Sequence, residues 1–374
     1  MTAGTSSAAI EVRAPGKLFI AGEYAVVEPG QPSVLVALDR FITVRLTAAE
    51  HAGSVHSDEY GQLPLVWTRD ESGLTIDREH HPYDYVMAVV DLVERLREER
   101  GVAPRFSDLR ITSELDDASG RKFGLGSSAA VVVATVGALD AFYRLGLTRR
   151  ERFGVALLAT VQVNPTASGG DLAASTYGGW IRYSAPDRAA LSRLIADRPV
   201  SEVLDGDHWD GFSVTQLAPP EHLRLLVGWT GSPASTSRLV DVVHRHRDDD
   251  ATQYAAFLDA SRSCVDDLVA GLQSGDTTRA TGAITRARGI LQRLGTAVGS
   301  SIETPRLATL CDVAEAEGAA AKPSGAGGGD CGIVLVPKEI DPKRILRAWE
   351  AHDIRHLSVS VHPAEADPVE RTTR

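Results

Sequence analysis

Residues 122–130 read Lys-Phe-Gly-Leu-Gly-Ser-Ser-Ala-Ala, a run of groups suited to gripping an anion. Gly124 and Gly126, on either side of Leu125, permit positive φ angles and close approach of backbone to a ligand. Ser127 and Ser128 offer hydroxyls as well as amides. From Ser128 through Ala129 and Ala130 to Tyr143 the chain is almost wholly apolar or small, which predicts a buried helix. The unpaired N–H groups and the dipole at its start would point back at the loop. Together these features make a phosphate cradle.

Three other readings compete for the same letters. A Walker loop needs G-x-x-x-x-G-K-[ST], and no lysine follows the second glycine. The run also fits the dinucleotide fingerprint G-x-G-x-x-A, which needs a strand directly before it and an acidic residue about 20 positions on. Here a polar loop, Asp116 to Arg121, comes first, and the region around Asp140 still reads as helix. A small-residue helix start built for close packing would look the same, so the loop alone leaves all of these open.

Four further segments carry compatible chemistry. Lys17 follows the rigid turn Pro15-Gly16 and sits in the apolar stretch 17–22, where a charge is costly without a partner. Asp171, after Ser168-Gly169-Gly170, starts a second small-residue helix; it is either an N-terminal helix charge or a carboxylate facing Lys17. Residues 228–237 run from a strand into a hydroxyl-rich turn with Ser235 and Thr236, either a helix cap or a second phosphate site. Residues 322–330, Lys-Pro-Ser-Gly-Ala-Gly-Gly-Gly-Asp, precede a buried strand, and a backbone nest near a ligand explains these glycines better than a linker.

The elements that must position these groups are legible in outline. The segment Ile10 to Thr47 reads as several strands, the clearest Phe41 to Thr47. Tyr85, Val89, Leu92 and Leu96 repeat at helical spacing, so Tyr83 to Arg100 is an amphipathic helix. Leu109 to Leu115 alternates as a strand, and Thr148 to Gln162 is a helix with Thr148 as N-cap. A joint falls near Leu217-Ala218-Pro219-Pro220, followed by strand Leu223 to Trp229 and three or four helices from Thr236 to Glu317. Strand Gly332 to Val336, helix Pro342 to His352 and strand Ile354 to Val361 close the chain. At 374 residues the chain exceeds the usual size of one core. The expected division is a tail over 1–9, a nucleotide-binding domain over 10–218 and a second domain over 219–374, in an α+β or α/β arrangement.

Composition narrows the partners. A net charge of −11 argues against nucleic acid and anionic membranes, so a site for an anionic small molecule needs its own local cations. No apolar run reaches the roughly 18 residues of a membrane span, and the first residues lack the pattern of a signal peptide. Cys264, Cys311 and Cys331 lie far apart with no C-x-x-C spacing, which argues against a disulfide framework and a zinc ribbon and fits a reducing cytoplasm. The histidines offer no metal site.

In this order, the Ala-Pro-Gly-Lys start, the Gly-Leu-Gly-Ser-Ser-Ala-Ala loop, the Ser-Gly-Gly-Asp helix start and the late Lys-Pro-Ser-Gly-Ala-Gly-Gly-Gly-Asp loop resemble the GHMP kinase superfamily, from about Ile10 to Val361. In detail they look most like the branch that acts on 5-phosphomevalonate, with mevalonate kinases the nearest relatives. The resemblance implies an α+β fold, with a left-handed βαβ unit in the N-terminal domain and a ferredoxin-like C-terminal domain. It implies ATP held at Lys122 and Gly124 to Ala130, and Mg²⁺ held with help from Ser128 or Ser127. Lys17 and Asp171 would face the transferred group, and Ser324, Gly325 and Ala326 would close the site. Mevalonate kinases carry a glutamate about eleven residues before the aspartate as a magnesium ligand; here residues 159–164 contain no acid. The chain would act as a monomer or a homodimer.

The acceptor decides what the site must do. An alcohol has to lose a proton during transfer, whereas a phosphate monoester, with a second pKa near 6, is already a dianion at pH 7. The task is then to bring two polyanions together, which calls for cations and positioning. Lys17 would stabilise the group in flight, Asp171 would orient Lys17 or the acceptor, and Lys122, Ser235 and Thr236 would serve the acceptor. A mevalonate kinase, a diphosphomevalonate decarboxylase, a sensor without catalysis and a nicotinamide enzyme are the alternatives.

Overall fold

The computed structural model describes residues 8–58, 63–70, 73–76, 83–117, 119–232, 239, 242–243, 245 and 250–364. The N-terminal half contains β1 (Ile10–Ala21), a short 3₁₀ turn (Ala25–Val27), β2 (Pro32–Ala49), β3 (Gly53–Ser57), β4 (Leu65–Asp70) and β5 (Gly73–Ile76). It continues with α1 (Asp84–Glu99), β6 (Phe106–Ser113), α2 (Ser127–Tyr143), α3 (Arg149–Val163), α4 (Gly170–Tyr177) and β7 (Trp180–Ser184), then α5 (Arg188–Asp197), α6 (Val200–Asp205) and β8 (Ser213–Leu217). The second half contains β9 (Leu223–Trp229), α7 (Ala251–Ser274), α8 (Thr277–Ala297), α9 (Pro305–Ala316), β10 (Ala320–Pro323), β11 (Cys331–Pro337), α10 (Lys343–Ala351) and β12 (Arg355–His356).

Two sheets organise these elements into a two-domain α+β fold. The first is mixed, in the order β5-β4-β3-β6-β2-β7-β8, with β1 along the other edge of β2. Among the described residues, β3 and β6 are the one pair that runs parallel. The second sheet is antiparallel, in the order β10-β11-β9-β12. Its β-α-β-β-α-β succession is that of a ferredoxin-like domain, with α7, α8 and α9 in the first crossover among the described residues.

β1 shows how local chemistry sets up a site. Its register with β2 shifts between Pro15 and Gly16, directly before Lys17. Proline has no N–H for the ladder, and a bulge re-aims the side chains that follow it. α2 is buried along nearly its whole length, as its small and apolar sequence requires. Thr148 caps α3 in a full capping box with Glu151.

A continuous apolar core joins the halves: Leu18 and Leu35 from the first sheet share it with Val265 and Ile284 of α7 and α8 and Ile333 of β11. A separate cluster, including Leu310 and Trp349, packs under the other face of the second sheet. At the seam Lys322 of β10, fully buried, forms an ion pair with Glu23 and donates to the Pro323 carbonyl at 2.6 Å. Ser324 donates to the Phe19 carbonyl at 2.8 Å, and Tyr24 donates to the Ala326 carbonyl at 2.5 Å.

The strand expected over Ile354 to Val361 is not one strand. Arg355 and His356 pair with β9, after which the chain crosses to the first sheet. There Asp39 donates its N–H to Ser360 and His362 donates to Ala37, each at 2.9 Å. The alternating pattern is real, but two different sheets satisfy it. The chain also uses strands at 53–57, 65–70, 73–76, 180–184 and 213–217 that the pattern analysis did not separate.

Removing one member of a buried ion pair leaves the other charge stranded. Lys322→Met is expected to cost about 3–5 kcal/mol of stability, and Glu23→Gln in the same chain to restore much of it. Urea unfolding of the single and double variants measures this; additive losses would mean that the two charges do not couple.

Candidate active site

A cavity of about 660 Å³ opens where α2, α4, the end of β1 and the loop after β10 converge. Lys17, Lys122, Gly124 to Ala129, Asp171 and Ser324 to Ala326 all line it. Ala130 does not; it is fully buried in the core of α2's first turn. Ser235 and Thr236 lie outside the described residues.

The glycine-serine loop is shaped by two charged side chains. Gly126, at φ 81°, is the N-cap of α2, and a Cβ there would stand 2.7 Å from Lys17 Cε. Gly124, at φ 79°, would put a Cβ 2.6 Å from Asp330 Cβ. At Gly124 a side chain would collide with the short Asp330 side chain, at Gly126 it would displace the flexible Lys17 side chain, and both positions use a backbone region that favours glycine. The Lys17 N–H donates to the Leu125 carbonyl at 2.8 Å, tying strand to loop. From below, the Cys331 thiol donates to the Phe123 carbonyl at 3.0 Å. Ser127 and Ser128 begin α2, so their amides are among those that the helix leaves unpaired.

Lys17 is buried, and its ammonium lies 5.3 Å from the centre of the Phe19 ring. Among the described residues it makes no ion pair, so it does not meet Asp171 directly. Asp171 lies in the first turn of α4, where one carboxylate oxygen accepts from the Leu172 N–H at 3.1 Å. One turn on, Ser175 donates to the Pro15 carbonyl at 2.7 Å. The helix carrying Asp171 is thus pinned to the bulge that precedes Lys17, and both side chains border one cavity.

Several lining residues were not singled out in the sequence. Arg121 donates to Asp117 at 3.0 and 2.8 Å and lies 5.1 Å from the centre of the Trp229 ring. Hydrogen bonds from the Ser119 hydroxyl and then the Arg121 N–H hold the Asp117 carboxyl well below the usual range. Lys17, Arg121 and Lys122 are the local cations that an anionic chain would need here. Tyr85, read as part of the helix's apolar stripe, packs against the core and also lines the cavity, as does Asn164. Burial pushes its phenol up, a hydrogen bond with Asn164 opposes this, and the Asp171 charge adds to it. Tyr24 has φ 62° and ψ −50°, a strained backbone for a bulky residue, held by packing against Tyr254 and Leu291 and by its bond to Ala326. Glu23 and Asp330 also line the cavity. Their only sequence signal was nearness to Lys17 and to the late glycines.

Thr160 stands eleven residues before Asp171 and lines the cavity with a buried hydroxyl that has no protein partner. Ser324 commits its hydroxyl hydrogen to Phe19, so in the cavity it can only accept. Among the described residues no cluster of three or more His, Cys, Asp or Glu groups could by itself hold a metal, and no helix is long and apolar enough to cross a membrane.

Residues 84–179 match the family description "GHMP kinases N terminal domain", and residues 260–354 match "GHMP kinases C terminal". The chain is 44% identical over 368 residues to a phosphomevalonate kinase of Streptomyces sp. strain CL190, covering 95% of this chain and 98% of that protein. It is 26% identical over 337 residues to a mevalonate kinase of Pyrococcus furiosus, covering 87% and 89%. Its fold superposes on Streptococcus pneumoniae phosphomevalonate kinase in complex with phosphomevalonate and AMPPNP with a TM-score of 0.83. That match has 29% identity and covers 94% of this chain and 99% of the other.

Proposed function

The chain belongs to the GHMP kinase family, and from that premise we propose that it transfers the γ-phosphoryl group of ATP to 5-phosphomevalonate, giving ADP and 5-diphosphomevalonate. The observation that carries the phosphoryl-transfer chemistry is the Lys17 side chain laid across Gly126, at the start of a helix whose amides face a cavity. The acceptor follows from the likeness, over nearly the whole chain, to the Streptomyces and S. pneumoniae proteins. Thr160 agrees with it, because a neutral hydroxyl replaces the acid that mevalonate kinases would supply there.

The residues divide the work as follows. The amides at Gly124 to Ser128 receive the ATP phosphates, with Lys122 and Arg121 adding charge at the rim. A non-bridging oxygen of the acceptor phosphate forms the new P–O bond, and the bond to the β–γ bridging oxygen breaks, leaving ADP. No proton has to move. Lys17 holds the charge on the equatorial oxygens of the group in flight. Asp171 orients the acceptor and sets the direction of the Lys17 ammonium. Ser324 to Ala326 form the wall contributed by the second half. Ser128, with Ser127, Asp171 and Asp330 in the same cavity lining, would offer oxygen donors of the kind that Mg²⁺ takes alongside nucleotide phosphates. Bound there, the ion neutralises charge on the phosphates.

Incubation with Mg-ATP and, separately, mevalonate, phosphomevalonate and diphosphomevalonate should yield ADP with phosphomevalonate. Turnover with mevalonate alone would refute the acceptor. Lys17→Met is expected to lower kcat at least about a hundredfold with little change in ATP affinity. Asp171→Asn should cost markedly less; an equal loss, with a rate that follows titration of a group near Asp171, would make it a general base. Gly126→Ala should cost about as much stability as Gly146→Ala, at φ 68° in open space, because the lysine can swing aside. Only the Gly126 change should reduce kcat, and equal effects on turnover would contradict the role given to Lys17.

A further inference from the structure

Arg188 opens α5 and is 9% exposed. Its guanidinium donates to the carbonyls of Thr166 at 2.9 Å, Ala167 at 2.7 Å and Val27. All three acceptors line the cavity, and Arg188 itself does not. It therefore stands behind the wall and joins the 3₁₀ turn after β1 to the turn that leads into α4. No carboxylate among the described residues forms an ion pair with it, and its Nε–H has no partner. Glu28 and Asp187 are the acidic groups close enough to act on it; the phenol of Tyr254 donates to Glu28, and Asp187 caps α5.

Burial pushes the Arg188 guanidinium down from its high ordinary value, but an arginine stays charged in a protein, and the low-dielectric interior screens that charge weakly. The carbonyl oxygens it draws back are also kept from pointing at the cavity, where they would repel an anion. Thr166 and Ala167 lie just before Asp171, so they border the side of the cavity taken by the acceptor in the reaction proposed above, on which this inference rests.

We propose that Arg188 is a positioning and specificity-determining residue: it fixes both walls of the acceptor subsite and supplies, through them, the positive potential that favours a phosphorylated acceptor over the unphosphorylated alcohol. It touches neither substrate, and it acts through Val27, Thr166 and Ala167.

Steady-state kinetics of the full chain and of its Arg188→Met and Arg188→Lys variants test this, with thermal unfolding to confirm folding. In the methionine variant the KM for phosphomevalonate should rise about tenfold or more, while that for ATP stays within about twofold. The preference for phosphomevalonate over mevalonate, as the ratio of kcat/KM values, should fall, and the lysine variant should recover most of it. An unchanged preference in folded Arg188→Met, or KM values that rise in parallel for both substrates, overturns the inference while leaving the reaction intact. If Arg188→Met does not fold, Arg188→Lys decides. A kept preference with a raised acceptor KM supports the inference; an unchanged acceptor KM, or an equal rise for ATP, overturns it. A wild-type enzyme that turns over mevalonate but not phosphomevalonate overturns both the reaction and this inference.

Discussion

The seam between residues 19–24 and residues 322–326 is the constraint on which the site depends. Three side chains cross it: Lys322 to Glu23, Ser324 to Phe19 and Tyr24 to Ala326. Hydrophobic burial drives the halves together, since their core is continuous, but apolar contacts alone tolerate sliding. The ion pair does not. With both partners almost fully buried, a shift of docking would strand a charge in the interior, a cost of several kcal/mol. Its role is therefore one of register, and that register brings the late glycine loop over the end of β1. The strained backbone of Tyr24 fits the same picture, because a cost of about 1–3 kcal/mol is held only where surrounding contacts over-determine the conformation.

Charge is distributed against the trend of the whole chain. A protein with net charge −11 repels polyanions at long range, yet the cavity lining balances Lys17, Arg121 and Lys122 against Glu23, Asp171 and Asp330, and Glu23 is already paired with Lys322. These cations are held differently. Arg121 is fixed between Asp117 and Trp229, so much of its charge is compensated. Lys17 has no carboxylate partner among the described residues and keeps its full charge for whatever enters. The two glycines that give the loop its shape also admit Lys17 and Asp330 at contact distance, so loop conformation and charge placement share one cause.

How much of this was legible follows from what each residue depends on. That the glycine-serine loop, Lys17, Asp171 and Ser324 to Ala326 border one cavity was legible because their residue types are costly anywhere else: glycines beside a buried helix, a lysine in an apolar run. Thr148 and its helix could be read because capping is local. Tyr85 was legible as inward-facing, and it does pack on the core, but helical spacing does not say that it also borders a cavity. The segment 354–361 carried a true strand pattern, but periodicity does not say how many partners will satisfy it. Lys322 stood in plain view beside the glycines, but its partner Glu23 is 299 positions away, and only docking brings them together. Arg188 had no signal, because its meaning lies in three backbone carbonyls that any residue could have supplied.

One coupling joins the two residues to which the proposed chemistry assigns the largest parts. Ser175 anchors α4 to the Pro15 carbonyl at the bulge just before Lys17, and Asp171 sits one turn earlier on that helix. The separation of Lys17 and Asp171 is thus set by backbone contacts rather than by an ion pair between the side chains. A direct pair would have spent both charges on each other, and each phosphoryl group entering would have had to break it. Held apart by the fold, the ammonium and the carboxylate border one cavity without neutralising each other, as the proposed transfer requires. This arrangement suits a reaction whose acceptor arrives already ionised: preorganised electrostatics carries the rate, and proton transfer is not required.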